Sequence, residues 1–119
     1  EVAFKSVKSI FLLTDLIQMD EDEFRKRFKG SPIKRIKRRG LLRNVAVALG
    51  NSNNQKAVPV LIRVLEDKEP LIRAHIVWAL GELMGSQCIP VLNEKLNKEK
   101  ELIVLREIEA VKEKFLKNS

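Results

Sequence analysis

The chain has no tyrosine, one cysteine and one histidine, and each scarcity removes a class of function. Cys88 has no second thiol to bridge, so an internal disulfide is excluded, which suits a cytoplasmic home. Cys88 and His75 together are too few for a Cys/His zinc site. There is no CxxC pair, no HExxH and no glycine-rich phosphate loop, so no residue is assigned a catalytic role and no metal site is expected. With five Phe and one Trp, aromatics are too scarce for a platform on which unpaired bases stack. The apolar cluster at residues 10–13 is far too short to cross a bilayer, and no signal-peptide order appears, so no membrane partner is expected.

The most informative absence is of carboxylates. Between Phe24 and Arg63 there is no Asp or Glu, while the same stretch carries 12 of the 23 basic side chains. The remaining residues hold the other 11 basic side chains and all 16 acidic ones. The net charge of +7 therefore comes from one concentrated positive block on a slightly acidic remainder.

What is present reads as helix throughout. Leu, Lys, Arg, Glu, Ile and Val dominate, and no run alternates with period two. Asp20 with Glu23 forms a capping box ahead of a short helix that ends near Lys29-Gly30. Ser31-Pro32 supplies an N-cap and a first-turn proline, and the helix start behind it is expected to be an anion site. Gly50-Asn51-Ser52-Asn53-Asn54 reads as a helix stop and loop, Asp67-Lys68-Glu69-Pro70 as a turn and new start, and Gly85-Ser86 as another stop.

The second half repeats itself. Ala48-Leu49-Gly50 recurs as Ala79-Leu80-Gly81, Pro59-Val60-Leu61 as Pro90-Val91-Leu92, and Leu65 as Leu96, always 31 residues on. Leu102, Ile103, Ile108, Ala110 and Val111 make a fainter third copy. Each unit is two helices that cannot bury their apolar side alone, so neighbours must stack. The fold class is all-α, a HEAT-like α-α superhelix of six or seven helices in one domain. Residues 9–40 form lead-in helices and the basic segment, and residues 41–117 the repeats.

After Pro70, the stripe Ile72, Ile76, Ala79, Leu80 and Leu83 is the buried face, and Trp78 is expected in the core with His75 beside it. Between Pro32 and Leu49 the pattern splits. Ile33, Ile36 and Val47 point one way, and Leu42, Val45 and Leu49 roughly the opposite way. A kink near Arg39-Gly40 accounts for this, with the basic half leaning away from the stack.

Within residues 31–44 several like charges crowd adjacent turns with nothing acidic nearby in sequence. A polyanion would relieve them. An acidic protein surface or acidic lipid is the alternative, but a membrane-lying helix needs bulky apolar residues opposite the charges, and Ile33 and Ile36 are few. The candidate phosphate-binding residues are Ser31, Lys34, Arg35, Lys37, Arg38, Arg39 and Arg43, with Asn44 and Asn51 adding neutral hydrogen bonds.

The run from Phe24-Arg25-Lys26-Arg27-Phe28-Lys29-Gly30-Ser31-Pro32 through Arg38-Arg39-Gly40-Leu41-Leu42-Arg43-Asn44 to Ala48-Leu49-Gly50-Asn51-Ser52 resembles the C-terminal region of epoxyqueuosine reductases. Ala57-Val58-Pro59-Val60-Leu61, Pro70-Leu71-Ile72-Arg73 and Trp78-Ala79-Leu80-Gly81 continue the likeness, which covers about residues 12–85. The resemblance implies an oxidoreductase that makes queuosine in tRNA using cobalamin and two 4Fe-4S clusters, with HEAT-like repeats that help hold the anticodon stem-loop. The cluster cysteines and the cobalamin domain have no counterpart here, so no cofactor is expected in this chain. The resemblance, with a start at Glu1 rather than Met, implies the C-terminal module alone, either a fragment of a longer enzyme or a stand-alone descendant, whose partners are tRNA and a separate N-terminal catalytic domain. The competing reading is a protein-interaction scaffold that docks an acidic partner, or that catalytic domain, through the basic block.

Overall fold

A computed structural model describes residues 7–117. The helices are α1 (Val7–Ile17), α2 (Glu21–Arg27), α3 (Lys37–Gly50), α4 (Ala57–Arg63), α5 (Pro70–Met84), α6 (Ile89–Leu96) and α7 (Leu102–Leu116), and there is no strand among the described residues. Short 3-10 turns at Pro32–Ile36, Val64–Glu66 and Gly85–Cys88 lead into α3, extend α4 and lead into α6.

The punctuation follows local chemistry. Asp20 accepts from the Glu23 N–H at 2.8 Å and the Glu23 carboxylate reaches back to the Asp20 N–H, completing the capping box of α2. Gly30 turns the chain out of α2 at φ 76°. After α3, the buried Ser52 hydroxyl donates to the Leu49 carbonyl at 2.6 Å and Asn54 accepts from the Lys56 N–H at 2.9 Å, so the polar loop supplies the stop and the next start.

α3, α5 and α7 form one layer, with α3 against α5 and α5 against α7, while α4 and α6 fill a second layer and α1 closes the stack against α3 and α4. The 31-residue register is visible in this packing. Leu49 and Leu80 are fully buried, and so are Leu61 and Leu92. Gly50 and Gly81 mark the two crossings. A Cβ on Gly50 would lie 2.5 Å from the Trp78 ring and 3.0 Å from the Ala79 Cα, and one on Gly81 would lie 2.8 Å from a Val111 methyl. Leu42, Val45 and Leu49 are buried and Ile33, Ile36 and Val47 exposed, so the split pattern separates a core face from a solvent face.

The kink is not at Gly40. Gly40 lies inside regular helix, and the chain breaks three residues earlier, where Lys37 takes φ 62° and its N–H closes the 3-10 turn onto the Lys34 carbonyl.

Two arginines lock the stack. Arg38, near the start of α3, donates to both carboxylate oxygens of Asp67 in the turn before α5, and its Nε donates to the Met19 carbonyl at 2.8 Å. Arg73, near the start of α5, donates to both oxygens of Glu99 in the turn before α7 at 2.9 and 2.8 Å, and to the Asp67 carbonyl at 2.7 Å. Each arginine thus clasps the turn that follows its own repeat's second helix. Lys95 Nζ sits 3.6 Å from Glu99 and completes the second cluster.

Candidate nucleic-acid interface

The sequence-predicted cations separate into two sets once folded. Lys34 and Arg35 ride on the 3-10 turn, which buries no residue. Lys37 is exposed at the head of α3, and Arg43 and Asn44 follow on the same helix, half-buried and exposed, with Arg43 Nε donating to the Asn44 side-chain Oδ1 at 3.3 Å. Among the described residues no carboxylate pairs with Lys34, Arg35, Lys37 or Arg43.

Arg38 and Arg39 differ. Arg38, only 13% exposed, is spent on Asp67 and the Met19 carbonyl, so it holds the fold and presents no free guanidinium. Arg39 lies 3.9 Å from Glu69 and is mostly exposed. The segment without nearby carboxylates in sequence therefore gains two in space, both from the turn before α5.

Ser31 caps as expected, accepting from the Ile33 N–H at 3.2 Å, but it caps a five-residue 3-10 turn rather than an α-helix. The uncapped α-helix start lies instead at α3, whose N-cap Ile36 makes no side-chain cap bond and whose first turn holds no acid. Asp67 and Glu69 meet Arg38 and Arg39 there, which leaves Lys37 as the cation without a carboxylate at the positive end of the helix dipole.

Lys37 is strained as well as charged. Its φ of 62° and ψ of 164° fall in a region that essentially only glycine occupies, at a cost of about 1–3 kcal/mol for other residues. Lys37→Gly is expected to raise unfolding stability by about 1 kcal/mol in urea titrations while weakening any anion binding at the strip.

Asn51 lies beyond the strip's cations, at the C-terminal end of α3. There it lines a groove of about 410 Å³ with Val47 of α3, Ala74, His75 and Trp78 of α5, and Ile103 and Glu107 of α7. Trp78, expected in the core, is half-buried and forms part of this wall. A signal for this was present: the 31-residue offset puts Trp78 in register with Val47, already placed opposite the core set, and His75 in register with Asn44. His75 donates Nδ1–H to the Leu71 carbonyl at 2.9 Å, since a carbonyl can only accept.

The chain belongs to the HEAT repeat family, whose pattern matches residues 38–112. Among curated proteins it is similar to epoxyqueuosine reductases. It is 34% identical over 91 residues to that of Salmonella typhimurium, an alignment covering 76% of this chain and 24% of the relative. It is 39% identical over 71 residues to that of Xanthomonas campestris, covering 59% and 20%, and 29% identical over 98 residues to that of Bacillus cereus, covering 82% and 26%. The chain thus spans about a quarter of the length of the curated relatives it matches. No solved structure matches the chain significantly.

The iron–sulfur clusters implied by the resemblance find no fitting residues here. Clusters need several accessible thiolates, whereas Cys88 is single and buried, and burial pushes its thiol up. Among the described residues no group of three or more His, Cys, Asp or Glu side chains is placed to hold a metal. No helix among them is long and apolar enough to cross a membrane.

Proposed function

We propose that this chain is the RNA-holding module of an epoxyqueuosine reductase type of tRNA-modification enzyme, gripping the phosphate backbone of the anticodon stem-loop while chemistry proceeds on a separate domain in the cytoplasm. The observation that carries this reading is the strip Lys34, Arg35, Lys37, Arg43 and Asn44. Its cations have no carboxylate partner among the described residues, and Lys34, Arg35 and Lys37 flank the uncapped start of α3. Such a strip suits a regular phosphate track, because it offers charge and helix-end N–H groups with no base-reading geometry of its own. The similarity to epoxyqueuosine reductases supplies the choice of tRNA among polyanions.

If about four phosphates are held, log K for an anticodon stem-loop should fall against log salt with a slope of about −3 to −4. Joint replacement of Lys34, Arg35, Lys37 and Arg43 by Ala should flatten that slope toward zero and weaken binding without sequence preference, read by fluorescence anisotropy. Salt-independent binding, or an unchanged affinity in the quadruple variant, removes the strip from the interface. An acidic protein that competes with RNA for the strip would shift the reading to the scaffold role.

A further inference from the structure

The groove beside the phosphate strip is not explained by backbone gripping, and its lining is unusual for a simple seam between helices. Val47 and Ile103 are 36% and 46% exposed, and the half-buried Trp78 is the chain's one tryptophan. Around this apolar floor stand three hydrogen-bonding side chains: the exposed Asn51 amide at the C-terminal end of α3, the His75 ring of α5 and the Glu107 carboxylate of α7. His75 uses Nδ1–H on the Leu71 carbonyl, which leaves Nε2 as the ring's other polar atom. Among the described residues no cation pairs with Glu107. At about 410 Å³ the groove falls within the range of small-ligand sites, roughly 300–1,000 Å³.

The position of the groove limits what fills it. Asn44, Val47 and Asn51 follow one another along one stripe of α3, so the groove is the continuation of the phosphate strip. At 1.5 Å per residue, Asn44 and Asn51 are about 10 Å apart along the axis, within the span of a short single strand. A carboxylate in the groove repels phosphate, so the backbone belongs on the strip and something neutral belongs in the groove. An aromatic face with polar groups at its rim is the chemistry that recognises a nucleobase. Glu107 accepts hydrogen bonds and cannot donate them when ionised, which favours a base edge made of N–H donors. Guanine alone among the four common bases presents two adjacent donors, N1–H and N2–H, that one carboxylate can accept together.

We infer that the groove between α3, α5 and α7 holds an unpaired guanine of the RNA, stacked against Trp78 with its donor edge on Glu107. The inference rests on the RNA reading of the neighbouring strip. It adds to a sequence-independent grip a contact that reads a base.

The sole tryptophan makes the test direct. RNA hairpins identical except for guanine or uracil at one loop position would be titrated against the chain, following Trp78 emission and, in parallel, anisotropy of a labelled RNA. Saturable quenching is expected with the loop guanine present, with affinity about tenfold above the uracil hairpin. Glu107→Gln should remove most of that preference while leaving the uracil hairpin's affinity and the salt slope as they were. Because Trp78 also packs on Gly50, Glu107→Gln and Asn51→Ala are the informative variants, and circular dichroism confirms their fold. Hairpins that bind equally well with either base and leave Trp78 emission unmoved overturn the base site while the phosphate strip stands. Hairpins that fail to bind at low salt overturn the strip reading. Guanosine monophosphate quenching Trp78 in that second case, with uridine monophosphate silent, would uphold the base site on its own.

Discussion

Arg73→Ala is expected to lower the unfolding free energy by about 3 kcal/mol, at the lower end of the range for breaking a buried ion pair. Its partner Glu99 is 2% exposed and depends on Arg73 for two of its hydrogen bonds. The loss stays at the lower end because Lys95 and the N–H groups of Lys100 and Glu101 continue to hold the carboxylate. The variant also frees the Asp67 carbonyl in the turn before α5.

The pH dependence carries the signature of the pair. Burial alone would push Glu99 up, but the Arg73 hydrogen bond, the Glu101 N–H and the charges of Arg73 and Lys95 outweigh it and hold the carboxyl at about 2. A carboxyl depressed in the folded state contributes stability that is fully present above its unfolded value near 4.5 and disappears as pH falls through about 2. Urea titrations between pH 7 and pH 2 should therefore show the difference between wild type and Arg73→Ala at full size down to about pH 5, then shrinking steadily. A difference that stays constant across that window would show that Arg73 acts through packing alone. Arg38→Ala should cost a similar amount through Asp67 and the Met19 carbonyl.

These two arginines mark the boundary of what could be read in the chain. The helical repeat was legible because a 31-residue offset recurs in separate motifs and each motif sits where packing needs it. The placement of Arg38 was legible in part. It precedes Leu42, Val45 and Leu49 by 4, 7 and 11 residues, the spacing of a single helical stripe, so the same periodicity that buries those residues draws Arg38 inward. Its partner lies 29 residues away, in a turn whose closeness exists only after the repeat folds back, and no local pattern announces that. The break at Lys37 had no signal either, because positive φ is marked in sequence by glycine and the nearest glycine, Gly40, sits in helix. The α-helix start expected directly behind Ser31 moved with it, to the head of α3. The strip cations Lys34, Arg35, Lys37 and Arg43 were visible as charge, while the groove was not, since its walls come from three helices more than 50 residues apart in sequence at the extremes.

The glycines test that packing by the sign of a single methyl group. Gly40→Ala should stabilise by up to about 1 kcal/mol, because its new Cβ meets the Ile36 Cβ at an ordinary 3.5 Å and helix propensity favours alanine. Gly50→Ala should instead destabilise by about 1–3 kcal/mol. The same propensity gain is outweighed by a Cβ 2.5 Å from the Trp78 ring and 3.0 Å from the Ala79 Cα, and backbone cannot step aside as a side-chain tip can. Gly81→Ala should fall between them, since the obstruction at 2.8 Å is a Val111 methyl on a neighbouring helix. Denaturant midpoints order the three, and a stabilised Gly50→Ala would mean that α3 and α5 do not cross this closely. Gly50→Ala also displaces the Trp78 ring, so its emission should shift while that of Gly40→Ala stays put. The Gly50 crossing and the floor of the groove are therefore one structural feature: Trp78 lies against the groove because Gly50 leaves room for its edge.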